Sequence, residues 1–209
     1  MEELTNYLNR HDVAKLQIGC GAYPLKEWFN TDNSRSICKD EIVYMDAGKP
    51  FPIPDNCFDY VYSEHLFEHL TFKQAKNMLK ESYRILKEGG VMRIATPNLQ
   101  FLVDLYLHPE KDINKSYIEF DAKRSNLPAN PVYMINRFHT SWGHQIIYDP
   151  NTLKELLEEN GFKNVHQCEV GESEHQDLMN IEKHGIHFKK LHADEDYNRL
   201  QTMVFEGTK

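Results

Sequence analysis

Apolar residues along the chain fall into short continuous runs separated by stretches of three- and four-residue periodicity. Val13–Ile18 is one such run, and it ends in Gly19-Cys20-Gly21, as a strand feeding a tight turn does. Similar runs predict strands at Trp28–Thr31, Ile42–Met45, Phe58–Tyr62, Val91–Ala95, Val165–Val170 and Met203–Phe205. Behind Thr71, the residues Phe72, Ala75, Leu79, Tyr83 and Leu86 mark one face of a capped helix that Gly89-Gly90 would end. Asn98 can cap a shorter helix carrying Leu102, Val103 and Tyr106. Asp149 followed by Pro150 opens another, with Leu153, Leu156 and Leu157 inside and Gly161 as its stop. The stretch from Leu107 to Gln145 shows no clear period but is rich in aromatic residues and histidine. It reads as a long irregular cover over a substrate. Residues 171–200 carry no assignable pattern.

Strands alternating with helices predict the α/β class: a Rossmann-like, mostly parallel sheet of about seven strands flanked by helices. We expect a single domain over residues 1–209, with a substrate-side insertion at about 107–148. Ligands of such sheets bind beyond the carboxyl ends of the strands, which places Gly19–Gly21, Asp32, Asp46 and Ser63–His69 on one rim. A dinucleotide site would need a third glycine opening a helix and an acid about 20 residues further on. Tyr23 and Pro24 follow instead, and Asp32 stands much closer, so an NAD-dependent oxidoreductase is the weaker reading.

Composition excludes some partners. With 24 basic against 32 acidic residues and a net charge of −8, the chain is a poor match to a nucleic-acid backbone. No stretch approaches the ~18 apolar residues of a membrane helix, and the N-terminus has no signal-peptide pattern. Cys20, Cys38, Cys57 and Cys168 are scattered, which suits a reduced, cytoplasmic setting. Among the 11 histidines, His65 and His69 would share a face if helical, a spacing that can bind zinc. No third ligand is legible, so no metal is expected.

Four pieces of the chain stand in a telling order: LQIGCG, an acid after the second strand, MDAGKPFPIPDNCFDYVYSEHLFEHL, and ESYRILKEGGVMRIATPN. This set resembles the class I S-adenosylmethionine-dependent methyltransferases, of a type 11-like, compact variant in which the first helix is shortened. The resemblance covers about residues 13–98, with a weaker echo at Gly161-Phe162 and the final strand. It implies that the last strand runs antiparallel and that the cofactor is S-adenosylmethionine. It also implies cofactor contacts at Gly19, Cys20 and Gly21, a ribose acid at Asp32 with Glu27 as its competitor, and an adenine site at Asp46 and the Ala47 backbone. Ser63, Glu64 and His65 would reach the rim near the transferred methyl. In the cover, FHTSWGH holds His139 and His144, candidate general bases because unperturbed histidine titrates near neutrality. The expected reaction is methyl transfer, as O-methylation, to a small-molecule or glycan-like acceptor. The alternative is a catalytically silent cofactor-binding or regulatory module.

Overall fold

The computed structural model describes residues 2–38, 41–183 and 199–209. Seven strands, β1 (Lys15–Ile18), β2 (Phe29–Asp32), β3 (Ile42–Tyr44), β4 (Phe58–Glu64), β5 (Leu86–Pro97), β6 (Lys163–Cys168) and β7 (Thr202–Thr208), form one sheet in the order β3-β2-β1-β4-β5-β7-β6. β7 runs antiparallel to both β5 and β6, and the remaining pairings are parallel. The helices are α1 (Glu2–Leu8), α2 (Phe72–Ile85), α3 (Leu99–Leu107), α4 (Asp112–Ser125), α5 (Pro131–Thr140) and α6 (Pro150–Glu159). The α/β sheet read from the sequence is therefore the observed one. Among the described residues, no helix is long and apolar enough to cross a membrane.

The two faces of the sheet are covered by different means. Leu16, Ile18, Val61, Met92 and Ile94 pack against Ala75, Met78 and Leu79 of α2 and Leu153, Leu156 and Leu157 of α6. Each helix supplies a stripe at three- and four-residue spacing. The other face carries Tyr62 and Val91 against Leu25, Trp28, Leu178 and Ile181, which come from loops and one short 3-10 turn, Gln176–Leu178. Parallel neighbours are ordinarily joined by a helix of a dozen or more residues. Here residues 19–28 join β1 to β2, and residues 33–41 join β2 to β3, with no helix among their described residues.

A row of polar side chains replaces the missing helix on that face. Asn30, Gln17, Tyr62, Arg93 and Glu206 stand in register across five strands, all buried. Leu25 N donates to Gln17 Oε1 at 3.0 Å and to Asn30 Oδ1 at 2.9 Å, and the Asn30 amide donates to the carbonyls of Leu25 and Trp28. Arg93 donates from Nε to Glu182 at 2.7 Å and from Nη1 to the Glu172 carbonyl at 2.8 Å and Glu206 at 2.5 Å. Glu182 in turn accepts from Gly171 N at 3.0 Å. The polar groups of the two covering loops are thus satisfied by strand side chains, which is what permits loops to be buried there.

Two expectations need correction. The helix behind Thr71 closes its capping box with Gln74, but it ends at Ile85, not at Gly89-Gly90. Leu86 is already extended and pairs with Phe58, and the glycines lie near the start of β5, Gly89 exposed and Gly90 buried. A Cβ at Gly90 would meet the Lys87 carbonyl at 2.9 Å and the Asp59 carbonyl at 3.1 Å, so the close strand approach explains that glycine. The stretch Leu107–Gln145 is not irregular but largely helical. In α4 the buried stripe is Asn114, Tyr117, Ile118 and Asp121, and its two polar members erase the apolar period. α5 does carry a start signal, Asn130 capping Val132 N with Pro131 at the first turn.

Candidate active site

The carboxyl ends of β1 to β3 form the first half of the site. Gly19 (φ 71°) and Gly21 (φ 54°) both take left-handed backbone. Gly19 N and Cys20 N converge on the Thr31 carbonyl at 2.9 and 3.0 Å, and Gly21 N donates to Asp32 Oδ2 at 3.0 Å. The two glycines serve different ends. A Cβ on Gly19 would lie 2.7 Å from Leu66 Cδ2, whereas one on Gly21 would meet nothing within 4 Å. Gly19 therefore admits the chain leaving β4, and Gly21 borders open space.

The predicted acids are placed around this loop. Asp32 is buried at the end of β2, and its other oxygen accepts from Ser34 N at 2.8 Å. Its first task is thus to brace the glycine turn. Asp46 accepts from Gly48 N at 2.9 Å and pairs with Lys49 at 3.1 Å. Partial burial pushes the Asp46 carboxyl up, but the Lys49 hydrogen bond and the Gly48 N–H outweigh it and hold the group below the usual range. Ala47 is buried beside it. Glu27 is an exposed turn residue at φ 64° ahead of the start of β2, not at its carboxyl end, and its carbonyl accepts from Tyr7 Oη at 3.1 Å. Cys20 is buried, and burial followed by the Asp32 charge pushes its thiol up to about 12. It lines the turn as a neutral thiol. Ser63 does not reach the rim, being wholly buried under it. Both Glu64 oxygens accept from Lys183 N at 2.9 Å, so this acid ties down the second covering loop.

The second half is a cavity of about 230 Å³ beyond the ends of β4 and β5. His65 and Pro97 form its sheet side, Tyr117, Phe120, Asp121 and Arg124 come from α4, and Arg137, Phe138, Trp142 and His144 from α5 and the chain after it. His65 (φ 46°) and Trp142 (φ 59°) both hold left-handed backbone, an unfavourable choice for large side chains that clusters at working sites.

Glu68, fully buried, is the centre of the cavity's polar wall. The turn Phe67–His69 is a single 3-10 turn, so His65 and His69 do not share an α-helical face as their spacing suggests. They converge because the chain wraps around the Glu68 carboxylate. His65 Nδ1 lies 3.1 Å from Glu68 Oε1, His69 Nε2 lies 4.0 Å from it, and Thr96 Oγ1 donates to Oε2 at 3.0 Å. Burial alone pushes the Glu68 carboxyl up, but the His65 hydrogen bond and charge reverse this and leave it lowered. His144 Nδ1 lies 2.6 Å from the Phe138 carbonyl. That contact places the proton on Nδ1 and leaves the lone pair on Nε2. Burial lowers the His144 pKa, and its ring meets His69 edge-on at 4.8 Å.

His139 and Arg137 of the cover are placed differently. His139 is exposed on α5 and does not line the cavity, which argues against it as a base, because the helix turns it outward. Arg137 is held by both oxygens of Asp121 and lies 4.4 Å from the Trp142 ring centroid. Glu68, Tyr117 and Gln201 escaped the sequence reading. Tyr117 donates to Gln201 at 2.5 Å. The HLFEH spacing held a clue to Glu68, but Gln201 comes from the opposite end of the chain and leaves no local trace.

Residues 16–94, spanning β1 to β5, match the model of a family described as a methyltransferase domain. This stretch carries a methyltransferase domain, and its fold is that of S-adenosylmethionine-dependent methyltransferases. No curated protein matches the sequence. The methyltransferase is similar in fold to a SAM-dependent methyltransferase from Archaeoglobus fulgidus, with a TM-score of 0.54 and 20% identity over 100% of this chain and 92% of that one. It is also similar to an S-adenosylmethionine-dependent methyltransferase from Mesorhizobium loti, with a TM-score of 0.54 and 14% identity over 100% and 96%. At these identities the likeness is one of fold.

The cofactor of this domain is S-adenosylmethionine, and the residues present suit it. There is open space over Gly21, acids end β2 and border β3, and no third glycine opens a helix for a pyrophosphate.

Proposed function

We propose that this methyltransferase holds S-adenosylmethionine along Gly19–Gly21 between Asp32 and Asp46, and methylates a hydroxyl oxygen of a small polar or glycan-like acceptor in the adjoining cavity. One observation carries the reading: Leu66 packs on Gly19, and its neighbours His65 and Glu68 face the cavity, so the glycine turn and the cavity share a wall. When bound, the cofactor supplies an electrophilic methyl group on a sulfonium.

The chain's own contribution is placement and exclusion of water. Asp32 keeps the glycine turn shaped. The Asp121–Arg137 pair, backed by Trp142, presents polar edges suited to hydroxyl groups, with its charges already neutralised by each other. A volume of about 230 Å³ is at or below the small end of ligand sites, which favours a small acceptor or a single sugar ring. α4 and α5 close the cavity from above, so the polar groups act in a site of low dielectric.

The test has two stages. Calorimetry should show binding of S-adenosylhomocysteine and none of NAD; the reverse would overturn the reading. Turnover with a panel of sugars, alcohols and amines should favour hydroxyl acceptors, and Trp142→Ala should cut turnover at least ~10-fold while leaving cofactor affinity within about twofold. Unchanged turnover in this variant would show that the acceptor binds elsewhere.

A further inference from the structure

The wall of the cavity brings together three groups that hydrogen bonding among themselves does not use up. Glu68, His69 and His144 each offer one donor atom, and these atoms all lie within 4.8 Å of one another. The sequence shows Glu68 and His69 as neighbours; His144 arrives only because the chain after α5 returns to them. Gln145 N and Ile146 N both donate to the Glu68 carbonyl, at 2.7 and 3.2 Å, and this short backbone pairing fixes His144 over the carboxylate.

We propose that Glu68, His69 and His144 bind a divalent transition-metal ion, of the zinc class, at the wall of the acceptor cavity. The donor set is one carboxylate oxygen and two imidazole nitrogens. Nitrogen donors of this kind suit zinc and its first-row neighbours, whereas magnesium and calcium take oxygen. Three protein ligands leave a position open toward the cavity, as in sites where a metal meets a substrate. Bonds of about 2.0–2.1 Å in a tetrahedral site require donors about 3.3–3.4 Å apart. The cluster therefore closes by an ångström or so on loading, within the reach of side-chain torsions.

What surrounds the three donors supports the assignment more than the donors alone do. Ligating histidines ordinarily give their second ring N–H to a carbonyl or carboxylate, which fixes the ring and the tautomer. His144 Nδ1 does this with the Phe138 carbonyl at 2.6 Å, which leaves the Nε2 lone pair for a metal. The Glu68 carboxylate is braced on both oxygens, by Thr96 Oγ1 at 3.0 Å and by His65 Nδ1 at 3.1 Å. His65 is itself held by Thr202 Oγ1 at 3.1 Å. A carboxylate with no solvent exposure, facing two imidazole nitrogens, gathers electron-rich atoms that a cation reconciles.

This inference rests on the reading of the cavity as the acceptor site, and deepens it. An acceptor hydroxyl ligating at the open position loses its proton more readily, the proton passing to solvent while the oxygen keeps the electron pair. The cation then does what His144 was expected to do as a base.

The experiment uses the full chain, stripped with a chelator and dialysed. Titration with Zn²⁺ should show one tight equivalent per chain, Co²⁺ should give the visible absorption of a nitrogen- and oxygen-ligated ion, and Mg²⁺ should not compete. His144→Gln and His69→Gln should each weaken Zn²⁺ binding at least ~100-fold, since losing a ligand exceeds the 10–100-fold seen for an outer-shell partner. His139→Ala, on the exposed side of α5, should bind as the parent does. A second grouping of donors exists at His166, Cys168 and Glu206. If Cys168→Ser removes the tight equivalent while His144→Gln and His69→Gln keep it, the proposal is overturned; it is overturned equally if the stripped parent binds no Zn²⁺. Glu68→Gln is read only alongside its unfolding curve, because that carboxylate is buried. S-adenosylhomocysteine binding is measured on the same samples. Its failure with the metal site intact strikes the functional reading and leaves this one standing.

Discussion

Adding one methyl group at Gly21 separates the needs of the fold from those of the cofactor. Gly21→Ala places a Cβ where nothing lies within 4 Å, so there is no clash to relieve. The remaining cost is the left-handed backbone at φ 54°, about 1–2 kcal/mol for a residue with a Cβ. In a chain of 209 residues that lowers Tm by roughly 2–8 °C, at about 2–4 °C per kcal/mol. If the cofactor occupies that space, the methyl overpacks the contact by about 1–3 kcal/mol, a loss of roughly 5- to 150-fold in affinity. Gly19→Ala is the contrast. It carries a similar backbone cost at φ 71°, and its Cβ also meets Leu66 Cδ2 at 2.7 Å, so it should lose distinctly more stability. Leu66→Ala should recover part of that loss. The assay is thermal unfolding of each variant, with calorimetric titration of S-adenosylhomocysteine well below Tm. A folded Gly21→Ala protein that binds within about twofold of the parent would refute the reasoning, since the open space would then not be the cofactor's.

Two further outcomes test other parts of the structure. Arg93→Met leaves Glu182 and Glu206 buried without their shared cation and should destabilise the fold by about 3–5 kcal/mol in denaturant unfolding. Adding Glu182→Gln and Glu206→Gln should restore much of it, and a loss below ~1 kcal/mol in the single variant would mean the buried pairing is not what holds the second covering loop. Cys20, with its thiol raised to about 12 by burial, should be the last of the four cysteines alkylated in the folded protein near pH 8, as read by mass spectrometry; labelling as fast as that of Cys57 would contradict its placement.

The sheet was legible because its central strands carry apolar residues such as Leu16, Ile18, Val61, Met92 and Ile94 in short runs. These survive as a local signal even though the other face holds a polar row. The helix behind Thr71 and the one behind Asp149 were legible for the same reason, each pairing an apolar stripe with a capping residue. α4 was not, because Asn114 and Asp121 occupy two positions of its buried stripe. Those polar residues are there for contacts beyond their own helix turn: Asn114 reaches Asp104 and Asp121 reaches Arg137. The end of α2 was misread because Gly89-Gly90 looks like a helix stop whether or not a strand has already begun.

The site divides along the same line. The sequence alone placed the glycine turn, Asp32 and Asp46 at the carboxyl ends of their strands, since each follows its strand within a few residues. It also showed, through the short spacing from Gly21 to Asp32, that the helix usual after the first strand is shortened. Only the tertiary structure decided that Asp32 braces the turn, that Ser63 is buried and that His139 faces outward, because each depends on what packs against it. It alone brought His144 from the cover to Glu68, and Gln201 from β7's approach to Tyr117. Pairings between residues so far apart in the chain are set by how helices close over a sheet, and a one-dimensional pattern records spacing, not closure.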